Sequence, residues 1–164
     1  MGRDHVDGIL EQWARERPEL DARPMGVVGR ALRLAKTFQR EIMRTISTHD
    51  MSFGEFDVLA VLLRSGPPYA LTPKRLLESL MLSSGALTNR VDGLERAGLV
   101  ARNPDPNDRR GVVVSLTDAG TERIDQAVAD HVANEHDMLD DCLSVREQET
   151  LTRLMRKVLV KYGK

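Results

Sequence analysis

The chain is 164 residues long, which suits one compact domain, and its 41% of hydrophobic residues can supply a core. Only 4% of the residues are aromatic, so that core is expected to be mainly aliphatic. The single cysteine, Cys142, excludes an internal disulfide framework and fits a cytoplasmic protein. No apolar run is long enough for a transmembrane helix, and the charged N-terminal region argues against a signal peptide.

Two amphipathic helices are predicted before residue 50. The first ends near Arg17 and Pro18, and residues 21–26 form a connector. The second helix is longer and ends around residues 47–49. Apolar residues recur at helical spacing in both helices, at Val6, Ile9, Leu10 and Trp13 and then at Val27, Ala31, Leu34, Phe38 and Ile42.

A capping box opens the third predicted helix. Ser52 and Glu55 have the spacing at which each side chain satisfies the other residue's backbone N–H. Gly66 and the two prolines after it end the helix. The side chains expected to point inward are Phe56, Leu59, Ala60 and Leu63.

Two shorter helices joined by a tight turn are predicted next. Thr72 is a hydroxyl N-cap, and Pro73 suits the first helical position. Ser83 and Ser84 offer a second N-cap, and Gly98 is well placed as the C-terminal glycine of the second helix. This is a helix-turn-helix pattern. The inner stripe of its second helix is Leu87, Val91 and Leu94.

A β-hairpin with a basic tip follows in the sequence. Residues 99–102 and 112–116 are strand candidates, the latter rich in β-branched side chains. Residues 103–111 between them have turn chemistry and carry Arg109 and Arg110. The combination predicts a winged helix, in which the helix suits the DNA major groove and a hairpin arginine suits the minor groove.

Two further helices complete the chain. Thr117 caps a long one, and Ser144 with Glu147 forms a capping box before the last. A winged helix alone does not cover apolar faces at both chain ends, so we predict a homodimer, whose two-fold symmetry also suits paired DNA half-sites. The apolar positions are Ile124, Val128, Val132, Leu151, Leu154, Met155, Val158, Leu159 and Tyr162.

The charge pattern matters more than the net charge of −1. Residues 73–116 hold seven basic and five acidic side chains, whereas residues 118–141 hold eight acidic side chains and one arginine. The acidic segment is expected to face away from phosphates. The alternative reading of both segments is solvated surface.

The second helix of the helix-turn-helix carries the candidate base-reading residues. Thr88 and Asn89 lie outside its apolar stripe and can hydrogen-bond base edges. The two serines at its N-terminus suit a phosphate. The alternatives are a solvated helix face and solvated hairpin arginines. The candidate DNA contacts are Ser83, Ser84, Gly85, Thr88, Asn89, Arg109 and Arg110.

Residues 71–120 closely resemble the winged-helix core of the multiple antibiotic resistance regulator (MarR) family. The resemblance is carried by SSGALTNRVDGLERAGLVAR, by DPNDRR in the hairpin and by VSLTDAG at the start of the next helix. The flanking helices are compatible with it. The resemblance implies a dimeric transcription regulator, most often a repressor, that releases DNA on binding a small molecule.

Four further residues resemble the urate-responsive subgroup of that family. The subgroup has an N-terminal helix with a tryptophan and an RPxLD-like connector, an acid and an arginine seven apart on the third helix, and an arginine in the recognition helix. Here these are Trp13, followed by RPELD, then Asp57, Arg64 and Arg90.

The chemistry of these four residues is coherent for a planar anion. Trp13 offers a flat face, Arg64 a charge and Asp57 a polar anchor. An anion beside Asp57 raises its electrostatic energy, which can reach the recognition helix through Arg90. The alternatives are a structural ion-pair set for Asp57 and the arginines, and dimer-core packing for Trp13.

Other polar residues give weaker signals. The four histidines lack metal-ligand spacing, and His131 with Glu135 is interpreted as a surface pair. Nothing near Cys142 in the sequence activates a thiolate, although oxidation sensing stays an alternative. No nucleophile elbow, phosphate loop or pair of catalytic acids is present, so neither an enzyme nor a cofactor is predicted.

The predicted fold is mainly α with a small β-hairpin wing: a winged helix-turn-helix domain plus N- and C-terminal dimerisation helices. Within a single MarR-like domain, residues 1–50 supply the N-terminal dimerisation and ligand part, 51–120 the winged helix-turn-helix and 121–164 the C-terminal dimerisation helices. The predicted function is repression, relieved when a small planar anion such as urate releases the protein from a pseudo-palindromic operator. The alternatives are a response to another phenolic or carboxylate ligand, or a winged helix used for protein–protein contact.

Overall fold

The computed structural model describes residues 2–80, 82–106 and 108–162, except for the side chain of Arg109. No helix in this part of the chain is long and apolar enough to cross a membrane. In chain order, its elements are α1 (His5–Glu16), α2 (Arg23–Ser47), α3 (Phe53–Arg64), β1 (Ala70–Leu71), α4 (Pro73–Leu80), α5 (Ser84–Arg96), β2 (Val100–Asp105), β3 (Asp108–Leu116), α6 (Asp118–Asp140) and α7 (Val145–Tyr162).

The chain divides into two compact units, Met1–Glu41 and Ile42–Lys164. In the first unit, Arg30 on α2 ties down the start of α1. Its guanidinium donates to the Asp4 carboxylate at 2.7 Å and to Asp7 at 2.6 Å. Asp4 is also the N-cap of α1, so one arginine holds the acidic first turn of α1 against α2.

Helix α2 begins earlier than predicted, inside the expected connector at residues 21–26. It starts at Arg23 because the Asp21 carboxylate accepts the Arg23 backbone N–H at 3.2 Å, which satisfies a donor that the helix leaves without a partner. Pro24 is tolerated in the first turn for the same reason, since a backbone N–H there has no helical acceptor.

Helix α3 is the centre of the second unit. Val58, Leu59 and Leu62 are completely buried, and α3 packs against α4, α5, α6 and β3. The core also takes Leu76 from α4 and Ile124 from α6. The predicted inward positions are confirmed for Phe56 and Leu59, which are buried; Ala60 and Leu63 are partly buried beside that core.

The caps predicted for α3, α4 and α5 are present, whereas at α7 the Glu147 carboxylate accepts the Ser144 backbone N–H and hydroxyl without the reciprocal bond of a capping box. Ser52 and Glu55 form the reciprocal capping box of α3, and α4 begins at Pro73. The Ser83 hydroxyl accepts the Ala86 backbone N–H at the start of α5. After α5, Gly98 has a φ of 73°, the left-handed conformation that ends helices and that favours glycine.

The wing differs from the sequence-based expectation in the length of its strands. β2 and β3 pair antiparallel as far as Asp105 and Asp108, so most of residues 103–111 is strand rather than turn. A hydrogen bond at 3.0 Å from the Arg110 backbone N–H to the Asp108 carboxylate stabilises the start of β3. The sequence also gave no sign of β1, whose two residues pair with Val114 and Ser115, because so short a strand carries no alternating pattern.

Helix α6 enters the fold through a close backbone contact. A Cβ placed on Gly120 would lie 1.9 Å from the Leu99 carbonyl oxygen, so only glycine fits there. Thr117 caps α6 as predicted, and its hydroxyl also donates to the Gly98 carbonyl at 2.7 Å. These contacts fix α6 to the junction between α5 and the wing.

Helix α7 has no buried side chain. Its apolar stripe is exposed, from Leu151, which is 36% exposed, to Leu159, which is 64% exposed. A contiguous apolar stripe on a long helix needs cover. The second unit by itself therefore leaves one amphipathic helix available for association.

Candidate nucleic-acid interface and effector site

The outer face of α5 is polar and exposed. Ser84, Gly85, Thr88 and Asn89 all lie on it, whereas the inner stripe predicted from the sequence is buried. The Thr88 hydroxyl donates to the Ser84 carbonyl at 3.0 Å, so towards another molecule it offers chiefly an acceptor oxygen. The Asn89 amide can both donate and accept, as bidentate recognition of adenine requires.

The wing stands next to α5 and is held there by Arg102. This β2 side chain donates to the Asp92 carboxylate at 2.5 Å and also pairs with Glu95, both on α5. Arg110 is exposed on β3; the backbone of Arg109 lies in the same strand, and its side chain lies outside the described part of the structure. Because the Arg102 guanidinium binds two carboxylates of α5, it fixes the angle between the recognition helix α5 and the wing.

The second cluster centres on Asp57, on the second turn of α3. Partial burial raises the pKa of the Asp57 carboxyl, while the positive charges of Arg90, Arg64 and His131, in that order, act to lower it. Burial outweighs the attraction. The structure therefore brings together three of the four residues predicted for the effector site.

Arg90 reaches this cluster from the inner edge of α5. Its guanidinium lies directly on the first turn of α3, against Gly54. Since Asp57 lies three residues after Gly54, both are on one side of α3. Arg90 thus connects α5, whose outer face is polar and exposed, to α3, which carries the half-buried Asp57.

Arg64, at the C-terminal end of α3, is exposed. It borders an open groove of about 460 Å³, together with Arg75 and Glu78 of α4. Asp57 and Arg90 do not line this groove.

The interpretation of His131 as a surface residue is wrong. Its side chain is only 19% exposed, and its ring lies edge-on to Phe56, with 5.2 Å between the ring centroids. Nε2 is 3.4 Å from the Glu135 carboxylate, whereas Nδ1 is buried and has no hydrogen-bond partner among the residues that the structure describes. An i,i+4 pair looks the same in sequence on either face of α6, so burial was not predictable.

Trp13 is exposed on α1, in the first unit, and Asp57, Arg64 and Arg90 belong to the second unit. Its participation in an effector site stays a prediction.

The polar outer face of α5, its buried inner stripe and the arginine-bearing hairpin beside it define a winged helix-turn-helix protein of the class that binds DNA. The MarR family model matches residues 49–111. The HTH-type transcriptional regulator PecS of Dickeya dadantii (strain 3937) is 40% identical over 153 residues, which are 93% of this chain and 92% of PecS. The chain therefore belongs to the MarR family of transcriptional regulators, as its sequence predicted.

Two similar solved structures are complexes with DNA. A crystal structure of a mutant MarR from Escherichia coli, complexed with operator DNA, matches with a TM-score of 0.70 and 29% identity over 85% of this chain and 99% of that one. A MarR family transcriptional regulator from Streptomyces coelicolor, in complex with DNA, matches with a TM-score of 0.76 and 25% identity, covering 88% and 91% of the two chains. The relatives are regulators rather than enzymes, which confirms that expectation for the class of protein.

Sequence reasoning missed three residues of these two clusters: Gly54, Arg102 and His131. Each depends on a neighbour distant in sequence, and the only local signal was a glycine within a predicted helix, at Gly54. Within the described residues, no group of three histidine, cysteine or acidic side chains is placed to hold a metal ion.

The raised pKa of Asp57 predicts a pH-dependent effect on stability. Because the folded state favours the protonated carboxyl, the stability it contributes is present below its ordinary pKa of 3.8 and is lost as the pH rises through the folded value. Asp57→Asn resembles the neutral acid, so it should raise Tm at about pH 7 and have little effect at about pH 3.5. Thermal unfolding at the two pH values measures this.

Asp125→Asn is the matched control, since Asp125 is exposed on α6. This variant should not show the increase in Tm at about pH 7. A lower Tm of Asp57→Asn at pH 7 would mean that attraction to Arg90 and Arg64 outweighs the cost of burial.

Proposed function

We propose that this protein is a homodimeric repressor that binds a pseudo-palindromic operator and is released by a small planar anion such as urate. The observation that carries the DNA part is the exposed polar face of α5, fixed by Arg102 beside a wing that presents arginine. The two structural relatives bound to DNA support the same use of the fold.

The roles of the DNA-facing residues follow from their positions. Ser83 and Ser84 sit at the N-terminus of α5, where backbone N–H groups and the helix dipole favour a phosphate. Thr88 and Asn89, one turn further along, face the base edges. One of the two wing arginines, Arg109 or Arg110, extends the contact into the adjacent minor groove, where a narrow groove concentrates negative potential.

A dimer follows from the exposed stripe of α7 and from the geometry of operators. Residues Leu151, Leu154, Met155, Val158 and Leu159 cover one side of α7 and gain cover from a second copy. A two-fold axis then places two copies of α5 on half-sites one helical turn apart.

An anionic effector is supported by the charges around Asp57. Two arginines, which remain charged at all ordinary pH values, surround one carboxylate whose ionisation is opposed by burial. A planar monoanion balances the surplus positive charge and matches the planar guanidinium groups. It also opposes ionisation of Asp57, so its binding changes the interaction between Asp57 and Arg90.

The first functional prediction concerns the wing. Arg110→Ala and Arg109→Ala should each weaken operator binding, and at least one should reduce the slope of log affinity against log salt by about one unit, because one phosphate-neutralising charge is lost. Binding titrations at several salt concentrations on the gene's own upstream region measure both effects. Arg153→Ala, on the side of α7 away from its apolar stripe, should leave the slope unchanged.

The recognition helix provides the contrast. Asn89→Ala should relax base preference at one operator position by about 1–3 kcal/mol while retaining the salt slope. If both wing variants bind as wild type does at matched salt, the wing is not a DNA contact. A winged helix used for protein contact predicts no salt-dependent shift of the upstream DNA at all.

The dimer prediction compares two valines of α7. Val158 lies within the apolar stripe and Val160 on the opposite side of the helix, where it is 79% exposed. Val158→Glu should shift the protein from dimer towards monomer by several kcal/mol, since it buries an unpaired charge in the interface, and Val160→Glu should leave the dimer intact. Sedimentation at micromolar concentration distinguishes them. A wild-type protein that sediments as a stable monomer contradicts the two-fold assembly.

The effector prediction is measured as the ratio of operator affinities without and with urate. This ratio should lie in the range of about 5–150 expected for allosteric coupling, and should fall in Trp13→Phe, Asp57→Asn and Arg64→Ala but not in Arg153→Ala. Because Trp13 is the single tryptophan of the chain, urate should also quench the protein's tryptophan fluorescence.

Two outcomes separate the alternatives. If urate at millimolar concentration neither quenches Trp13 nor releases DNA, while benzoate or a phenolic acid does, the site takes another anion. If Arg64→Ala unfolds, as followed by thermal melting, Arg64 belongs to a structural ion-pair set instead.

A further inference from the structure

Gly54 occupies an unusual position at the start of α3. A Cβ placed on it would lie 2.5 Å from both Cζ and Nε of Arg90 and 2.9 Å from Nη2. Non-bonded carbon atoms ordinarily approach to about 3.5 Å. The Arg90 guanidinium therefore occupies the space that the side chain of any other residue would need.

The backbone does not require glycine at this position. Gly54 lies within an α-helix, whereas the glycines with positive φ in the described residues are Gly66 and Gly98. Glycine also disfavours a helix relative to alanine. The close approach of Arg90 is thus the structural feature that accounts for a glycine here.

The contact places the Arg90 guanidinium on the side of α3 that carries Asp57. The guanidinium lies over the first turn of α3, Asp57 follows on the next turn of the same side, and the positive charge of Arg90 acts on the Asp57 carboxyl. A methyl group at position 54 would occupy the space in which the Arg90 guanidinium lies. The guanidinium is the far end of a flexible side chain, so it can move aside while α3 keeps its place.

We propose that Gly54 is a positioning residue: by leaving the first turn of α3 open, it seats Arg90 beside Asp57 and so couples the effector site to the recognition helix. This inference rests on the proposed function, because the coupling it explains is the release of DNA by an anion. Any other residue at position 54 would displace Arg90, and ligand binding would then no longer weaken DNA binding.

The test compares Gly54→Ala with Gly93→Ala. Both place the same methyl group in a helix of the second unit, but a Cβ on Gly93 would meet only the flexible end of Glu55, at an acceptable 3.4 Å. Each variant is measured by thermal melting, by the ratio of operator affinities without and with sodium urate, and by carbon-13 NMR titration of the Asp57 carboxyl.

Gly54→Ala should raise the pKa of Asp57 above its wild-type value, because a positive charge that lowers it moves away, and should bring the urate-dependent ratio close to 1. Gly93→Ala should match the wild type in both measurements. An unchanged Asp57 titration in Gly54→Ala overturns the proposal, because Arg90 then has not moved relative to the acid.

Arg90→Ala completes a double-mutant cycle. With the guanidinium absent, Gly54→Ala should change neither the Asp57 titration nor the urate ratio further. Independent, additive effects overturn the proposal, because Gly54 then acts through another neighbour. If Gly54→Ala alone does not fold, the double variant should fold, since the three described atoms nearest to the added methyl group all belong to the Arg90 side chain. A double variant that also fails overturns the proposal.

The two hypotheses fail in different ways. If wild-type protein shows no response to urate, the proposed effector is wrong, and the Asp57 titrations of wild type, Gly54→Ala and Gly93→Ala still decide the role of Gly54. If wild type responds and Gly54→Ala responds equally, the effector stands and the positioning role is overturned.

Discussion

The burial of α3 is the constraint on which the second unit depends. Val58, Leu59 and Leu62 are completely enclosed, and each neighbouring layer, α4, α5, α6 and β3, packs against this helix. Close-packed cores do not deform smoothly, so a displacement on one side of α3 requires the neighbours to rearrange as bodies. A polar group on α3 can therefore transmit a displacement to the recognition helix α5, whereas a group on the surface cannot.

Asp57 is that polar group, and opposing electrostatic effects act on its ionisation. Burial disfavours the carboxylate, while Arg90, Arg64 and His131 favour it, and these opposing effects leave a raised pKa. A further negative charge nearby would add to the effect of burial, whereas the loss of a nearby arginine charge would remove part of the attraction. For a fully paired acid on the surface, solvent would screen the same additional charge, and the ionisation of the acid would change little.

The parts of the fold that were predictable from sequence are those specified locally. The Ser52–Glu55 box, Pro73 at a helix start and Gly98 after a helix end act within a few residues, so their patterns were sufficient. The arginines of the effector cluster were assigned by resemblance to a subgroup, and the structure brings Arg64 and Arg90 to Asp57, although ligand binding itself stays a prediction.

The parts that were not predictable depend on tertiary partners. The strands of the wing extend into a Pro- and Asp-rich segment because each pairs with the other, which overrides weak local β-propensity. His131 is largely shielded from solvent because α6 packs on α3, and a helical i,i+4 pattern does not say which face packs. The role of Gly54 is invisible without Arg90, because a helix with an internal glycine is ordinarily just a weaker helix.

The magnitude of coupling through one acid–arginine pair limits what a single site can do, and under the proposed function this gives dimerisation a further purpose. A coupling free energy of about 1–3 kcal/mol changes operator affinity about 5- to 150-fold, whereas a shift from 1:99 to 99:1 needs about 10⁴-fold. In the proposed dimer both copies of α5 must lie in their half-sites at once, so the effects of two ligands multiply. Two sites of about hundredfold each reach the required range, and one does not. Under the proposed function, the exposed apolar stripe of α7 is therefore as necessary to an effective switch as the charged cluster around Asp57, because dimerisation would combine two weak responses into one large change in DNA occupancy.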